Sequence, residues 1–173
     1  MWGYGLAYFA NNEVTDANHM QKLDAIDRKI LALLQKDGRM SLADISAEVG
    51  LSPSPCLRRI RILEKAGVIA RYVAVLDQDV VGLPVSVFVS VKLERQREEA
   101  LEQFSKAVAR WPEVLECYLM TGSRDFLLRI VAADLAAYER FLRDRLTRID
   151  AVASIESSFA LKQVKYTNVL PVA

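Results

Sequence analysis

A chain of 173 residues, 52% hydrophobic and 26% charged, suffices for one large or two small domains and is too apolar to be disordered throughout. Its net charge is +1, no apolar run is long enough to span a bilayer, and the start lacks a secretory leader, so the expectation is a cytoplasmic protein with no membrane partner. Two cysteines, Cys56 and Cys117, read as small core residues in a reducing compartment; with one histidine, His19, and no CxxC pair, neither a metal site nor histidine-based catalysis is supported.

The average charge conceals an asymmetry. Residues 20–72 hold ten Lys/Arg against six Asp/Glu, a net of +4, while residues 73–173 hold thirteen against fourteen. Glu13 and Asp16 add −2 in the first nineteen residues. The positive excess therefore lies in one segment, the distribution expected of a polyanion-binding domain.

In chain order, residues 1–19 have no clean period and read as a loose extension, with Met20 a plausible true beginning; an arm packing on a partner subunit is the competing reading. Residues 20–72 then read as a helical domain. Leu23, Ile26, Ile30 and Leu33 recur at helical spacing with Asp24 near the cap, and Lys36-Asp37-Gly38-Arg39 ends that helix. Ser41 followed by Asp44 is a capping pattern, Leu42, Ile45 and Val49 form one face, and Gly50 suits a left-handed end. Ser52-Pro53-Ser54-Pro55 offers two candidate starts for a third helix, each a Ser cap before a Pro. In that helix Cys56, Ile60 and Leu63 make an apolar stripe with Leu57 beside it, and Ser54, Arg58, Arg61 and Lys65 take the opposite side.

Two short helices, a tight turn and a one-sided cationic second helix outline a helix-turn-helix. Lying in a major groove of double-stranded DNA, its first turn (Ser52, Ser54, Pro55) would face base edges, and Arg58, Arg59, Arg61 and Lys65 would reach guanine or phosphate. The alternative is a solvated basic face on an ordinary bundle; the caps, the turn and the charge asymmetry together favour DNA.

After Gly67, VIARYVAVLD alternates and predicts a strand, serving as a wing or a linker, and residues 73–84 with Gly82 and Pro84 mark the domain boundary. Residues 85–173 follow. Val85–Leu93 alternates along its whole length. Helix Arg97–Trp111, strands Val114–Met120 and Asp125–Ala132, helix Leu135–Ile149 and strand Val152–Leu161 complete a βαββαβ order. That is the ferredoxin-like arrangement, so the fold class is α+β: a winged helix-turn-helix domain followed by a ferredoxin-like domain. Both helices should cover one sheet face. The other carries Phe88, Phe126-Leu127-Leu128 puts apolar groups on both sides of the third strand, and a half-apolar bare face predicts self-association, which would place two recognition helices about 34 Å apart on successive major grooves.

A basic helix-turn-helix joined to a ferredoxin-like domain resembles the Lrp/AsnC family, the feast/famine regulatory proteins. The resemblance rests on LDAIDRKILALLQKDGR, on GLSPSPCLRRIRILEKAGVI and on Gly122-x-x-Asp125-Phe126, and it runs from about Met20 to the end. It implies a sequence-specific transcriptional regulator that dimerises, assembles further, commonly to an octamer, and responds to an amino acid or related metabolite, with no other cofactor. It further implies that the effector sits between dimers against the loop Thr121, Gly122, Ser123, Arg124, Asp125 and Phe126. Asp125 would then take the ammonium, and Ser157 is a further candidate for the pocket. Many members carry an acid directly after the glycine. Here Ser123 and Arg124 follow it, which argues against a basic ligand. The competing reading of the loop is a plain hairpin turn in which Gly122 serves geometry and Asp125 pairs with Arg124 or a backbone amide. Isolated carboxylates, Tyr138 on a core stripe and no usable histidine argue against an enzyme. The alternative function is an architectural DNA-wrapping protein without an effector.

Overall fold

The computed structural model describes residues 22–172, so the readings of residues 1–19, His19 and Met20 lie outside the described residues. The described chain forms two compact units. One comprises the residues through Val75 together with the segment from Val164; the other is Leu76–Gln163.

The first unit contains α1 (Ala25–Lys36), α2 (Leu42–Val49) and α3 (Pro53–Lys65). Helix α1 starts in a reciprocal cap: the Asp27 amide donates to the Asp24 carboxylate at 2.8 Å, and the Asp24 amide donates to Asp27 at 3.2 Å. The Asp44 amide donates to Ser41 Oγ at 3.1 Å to open α2, and Gly50 closes it at φ 69°, a conformation that disfavours any side chain. Of the two candidate starts for α3, Ser52 is the cap and Pro53 the first helical residue. Ile30, Ile45, Cys56 and Leu63 are buried at the centre of the three helices. Residues near the C-terminus belong to this unit as well. The Gln35 amide donates to the Leu170 carbonyl at 3.1 Å and accepts from the Leu170 amide at 2.6 Å, while Val172 packs on the helical core.

The strand expected after Gly67 is not formed: residues 70–77 enter no ladder among the described residues. Tyr72, Val73, Val75 and Leu76 are exposed there. A β-branched run is a strand only where another strand supplies its hydrogen bonds, and none does so among the described residues.

The second unit is a four-stranded antiparallel sheet of β1 (Val85–Leu93), β2 (Val114–Leu119), β3 (Phe126–Ala132) and β4 (Val152–Phe159), in the order β2-β3-β1-β4. Helices α4 (Glu98–Val108) and α5 (Leu135–Asp144) pack on one face. This is the ferredoxin-like topology. Val87, Val89 and Val91 are wholly buried beneath the helices, and the Phe104 and Phe126 rings stack there at 4.4 Å. The second helix ends five residues earlier than its periodicity suggests, because the Thr147 hydroxyl donates to the Leu142 and Arg143 carbonyls, and a short 3-10 turn, Leu146–Arg148, follows. The first ends at Val108, three residues short of Trp111, and tightens into a turn in which the Trp111 amide donates to the Val108 carbonyl at 3.0 Å. No helix among the described residues is long and apolar enough to cross a membrane.

Candidate nucleic-acid interface and effector loop

Packing of Cys56, Ile60 and Leu63 into the core fixes which side of α3 faces solvent. Ser52, Ser54, Arg58, Arg61 and Lys65 are all exposed, and Pro55 is half-buried. Ser54, Leu57, Arg58, Arg61, Ile62 and Lys65 line one shallow open depression along the helix. Arg58, Arg61 and Lys65 make no ion pair among the described residues, and the Ser52 hydroxyl does not cap the helix. Three cations and two hydroxyls thus stand free on one side.

Arg59 points elsewhere. Its guanidinium Nη1 donates to Asp24 and to Asp27, both at 2.7 Å, tying α3 to the cap of α1. The Asp27 amide and Arg59 together hold the Asp24 carboxyl below its ordinary pKa. The one acid on α3, Glu64, accepts from the Tyr72 hydroxyl at 3.1 Å; burial and this acid raise the Tyr72 pKa.

In the second unit, the loop between β2 and β3 is held from inside. The Asp125 amide donates to the Val91 carbonyl at 2.9 Å, and the Asp125 carbonyl accepts from the Met120 amide at 2.8 Å. Its carboxylate, buried, accepts from the Leu93 amide at 2.6 Å and from the Gln96 side chain. Gly122 sits at φ 112°, where glycine is strongly favoured. Thr121, Gly122 and Ser123 are exposed, and Phe126 is buried in the core. Arg124 extends over the uncovered sheet face, where Nη1 donates to Ser154 Oγ and Nη2 to Glu156, each at 2.7 Å.

Six of the seven expected effector residues are therefore contiguous, but they play different parts. Asp125 already has its hydrogen-bond partners, a backbone amide among them, as in the hairpin reading. Ser157 is directed to the helix-covered face, where its hydroxyl meets the Tyr138 hydroxyl at 2.5 Å. Burial raises the Tyr138 pKa and that hydrogen bond opposes the rise. The residues that do reach the loop, Ser154 and Glu156, were missed, although the inward alternation of Ile155, Ser157 and Phe159 already put them on the other face. Gln96, in the connection after β1, carried no such signal. No cluster of three metal-ligating side chains occurs among the described residues.

A family model described as the Lrp/AsnC ligand binding domain matches residues 86–170, and one for a winged helix-turn-helix DNA-binding domain matches residues 23–70. The chain is 47% identical over 152 residues to a protein of Pseudomonas aeruginosa named Bkd operon transcriptional regulator, covering 88% of this chain and 99% of that one. It is 41% identical over 146 residues to the leucine-responsive regulatory protein of Escherichia coli, covering 84% and 89%. Among solved structures, a transcriptional regulator of Neisseria meningitidis in complex with L-Met superposes with a TM-score of 0.83 at 42% identity, over 87% of this chain and 97% of that one. An AsnC family regulator of Agrobacterium tumefaciens does so with a TM-score of 0.83 at 45% identity, over the same shares.

Proposed function

The chain belongs to the Lrp/AsnC family of transcriptional regulators, and from that premise we propose how its two units divide the work. It is a DNA-binding regulator with a ligand-binding domain. In our reading α3 enters the major groove, with Ser52, Ser54 and Pro55 toward the bases and Arg58, Arg61 and Lys65 on guanine or phosphate. The observation that carries this is the free cationic side of α3, held outward by a buried apolar back. Arg59 supports that helix from behind rather than touching DNA.

The second unit senses an amino acid at the loop Thr121–Phe126. The Neisseria meningitidis neighbour, crystallised with L-Met, and the leucine-responsive relatives support an effector of this class. Ser123 and Arg124 after the glycine favour a neutral or acidic amino acid over a basic one. The protein acts in the cytoplasm as a dimer, assembling further toward an octamer, through the uncovered sheet face where Phe88 and Tyr118 are exposed. It works by binding rather than by catalysis.

The test is binding of the protein to the DNA upstream of its own gene across a salt series, against scrambled DNA of equal length. Preference for the upstream DNA, with affinity falling as salt rises, is the expected outcome. Equal affinity for both DNAs, joined to a flat thermal-shift response to amino acids, would replace the reading with architectural DNA wrapping.

A further inference from the structure

Helix α3 carries more apolar side chain than its core uses. Cys56, Ile60 and Leu63 are buried among the helices, but Leu57 and Ile62 neither join that cluster nor pack against it. Leu57 is half-buried. Ile62, 43% exposed, is among the described residues the only large apolar side chain exposed on the three helices. Both line the same open depression as Ser54, Arg58, Arg61 and Lys65. At about 100° per residue those four polar side chains form one stripe, with Leu57 on one margin and Ile62 on the other. A single exposed aliphatic side chain is ordinary. Two that frame a stripe of free cations fit an occupant that is anionic overall and apolar at particular points.

Duplex DNA has that combination. Its phosphates match the cations, and its major groove holds one apolar group, the C5-methyl of thymine. That methyl stands toward the side of the groove nearest its own strand, which is where the margins of a helix lying in the groove are found. We infer that Leu57 and Ile62 read thymine methyls, Leu57 on one strand and Ile62 on the other, flanking the polar contacts of Ser54, Arg58 and Arg61. This rests on the DNA-facing reading of α3 and names the base that its apolar margins select. Cytosine at the same place presents an amino group that neither side chain can accept from, so that group loses its hydration without replacement. Leu57 lies in the half of α3 that enters the groove first and Ile62 toward its end, so Leu57 discriminates more strongly.

The test begins by recovering a preferred duplex from a random pool with the full-length protein. Each thymine of that duplex is then replaced singly by deoxyuridine, which lacks the methyl and keeps every hydrogen-bonding atom. Fluorescence anisotropy at fixed salt reads the affinities. The expected result is a loss of about fourfold, the worth of one buried methyl group, at one thymine or more on each strand. With Leu57→Ala the penalty disappears at the thymines of one strand and persists on the other, and Ile62→Ala does the reverse. Neither variant changes the salt slope, because neither removes a phosphate contact. Melting curves of both variants check that they fold. A preferred site without thymine, or one that tolerates uracil throughout, overturns the inference while base reading by α3 stands. Penalties that persist at full size in both variants overturn it as well, by assigning the methyls to other side chains. A pool that yields no preferred sequence removes base reading by α3 itself, and the inference falls with it.

Discussion

The solvent-facing side of α3 and the β2–β3 loop both present arginines, and they prepare them in opposite ways. Arg58 and Arg61 have no ion-pair partner among the described residues and rest on an apolar-backed helix. Arg124 is bonded to Ser154 and Glu156, and the residue beside it is bonded to Leu93 and Gln96. Free cations attract any polyanion at long range and lose affinity as salt screens them. A paired cation is neutralised locally and adds little to such long-range attraction. The first arrangement suits a long, repetitive phosphate backbone, and the second ties the β2–β3 loop to β4.

Several substitutions would break or sharpen that contrast. The largest effect is expected from Arg58→Ala combined with Arg61→Ala. Each lost contact costs about 1–3 kcal/mol of DNA affinity, and the salt dependence flattens by about 0.9 per phosphate contact removed. Gel-shift titrations at several salt concentrations read both, and an unchanged salt slope would mean that this side of α3 does not face DNA. Next, Asp125→Ala leaves the Leu93 amide without its acceptor. It should cost about 1–3 kcal/mol in urea unfolding and weaken amino-acid binding, while the salt slope for DNA stays as in the wild type.

A smaller stability loss, about 1 kcal/mol, is expected from Arg59→Ala, which removes a half-exposed contact between α1 and α3. If it instead flattened the salt slope as Arg58→Ala does, Arg59 would belong with the free cations. Gly122→Ala meets no atom within 4 Å, so its cost is backbone strain alone, on the order of 1 kcal/mol, visible as a lower melting temperature. The smallest effect concerns pH. The Asp24 carboxyl titrates below its unfolded value, so the folded state binds that proton less readily than the unfolded chain. Its stabilisation is present above the ordinary carboxylate range, about pH 4, and is lost on acidification through the lower folded value. Asp24→Asn should flatten that part of the stability–pH curve.

The helical elements were legible because each announces itself locally. Ser41, Asp44 and Gly50 sit where caps are needed, and Val87, Val89, Val91 and Leu93 alternate because one face is buried. The same local signals misled wherever a partner was required. The run through Tyr72 and Val75 has strand composition but pairs with no strand among the described residues, and Thr147 ended a helix whose apolar period continued to Ile149. Arg59 was counted with the DNA-facing cations, but it lies between the apolar stripe and the outer side, and the distant acids Asp24 and Asp27 decide where it turns.

By itself the sequence determined the three-helix unit, the βαββαβ order and the side of α3 that carries positive charge. These depend on periodicity and on residues within a turn or two of each other. Tertiary structure alone decided which charges remain free. Ser154 and Glu156 lie some thirty residues beyond Arg124 and meet it only through the β1–β4 register. Gln35 and Leu170 join across 135 residues. Hydrogen bonds and ion pairs act over a few ångströms, so partners so remote in the chain come within reach only once the chain has folded.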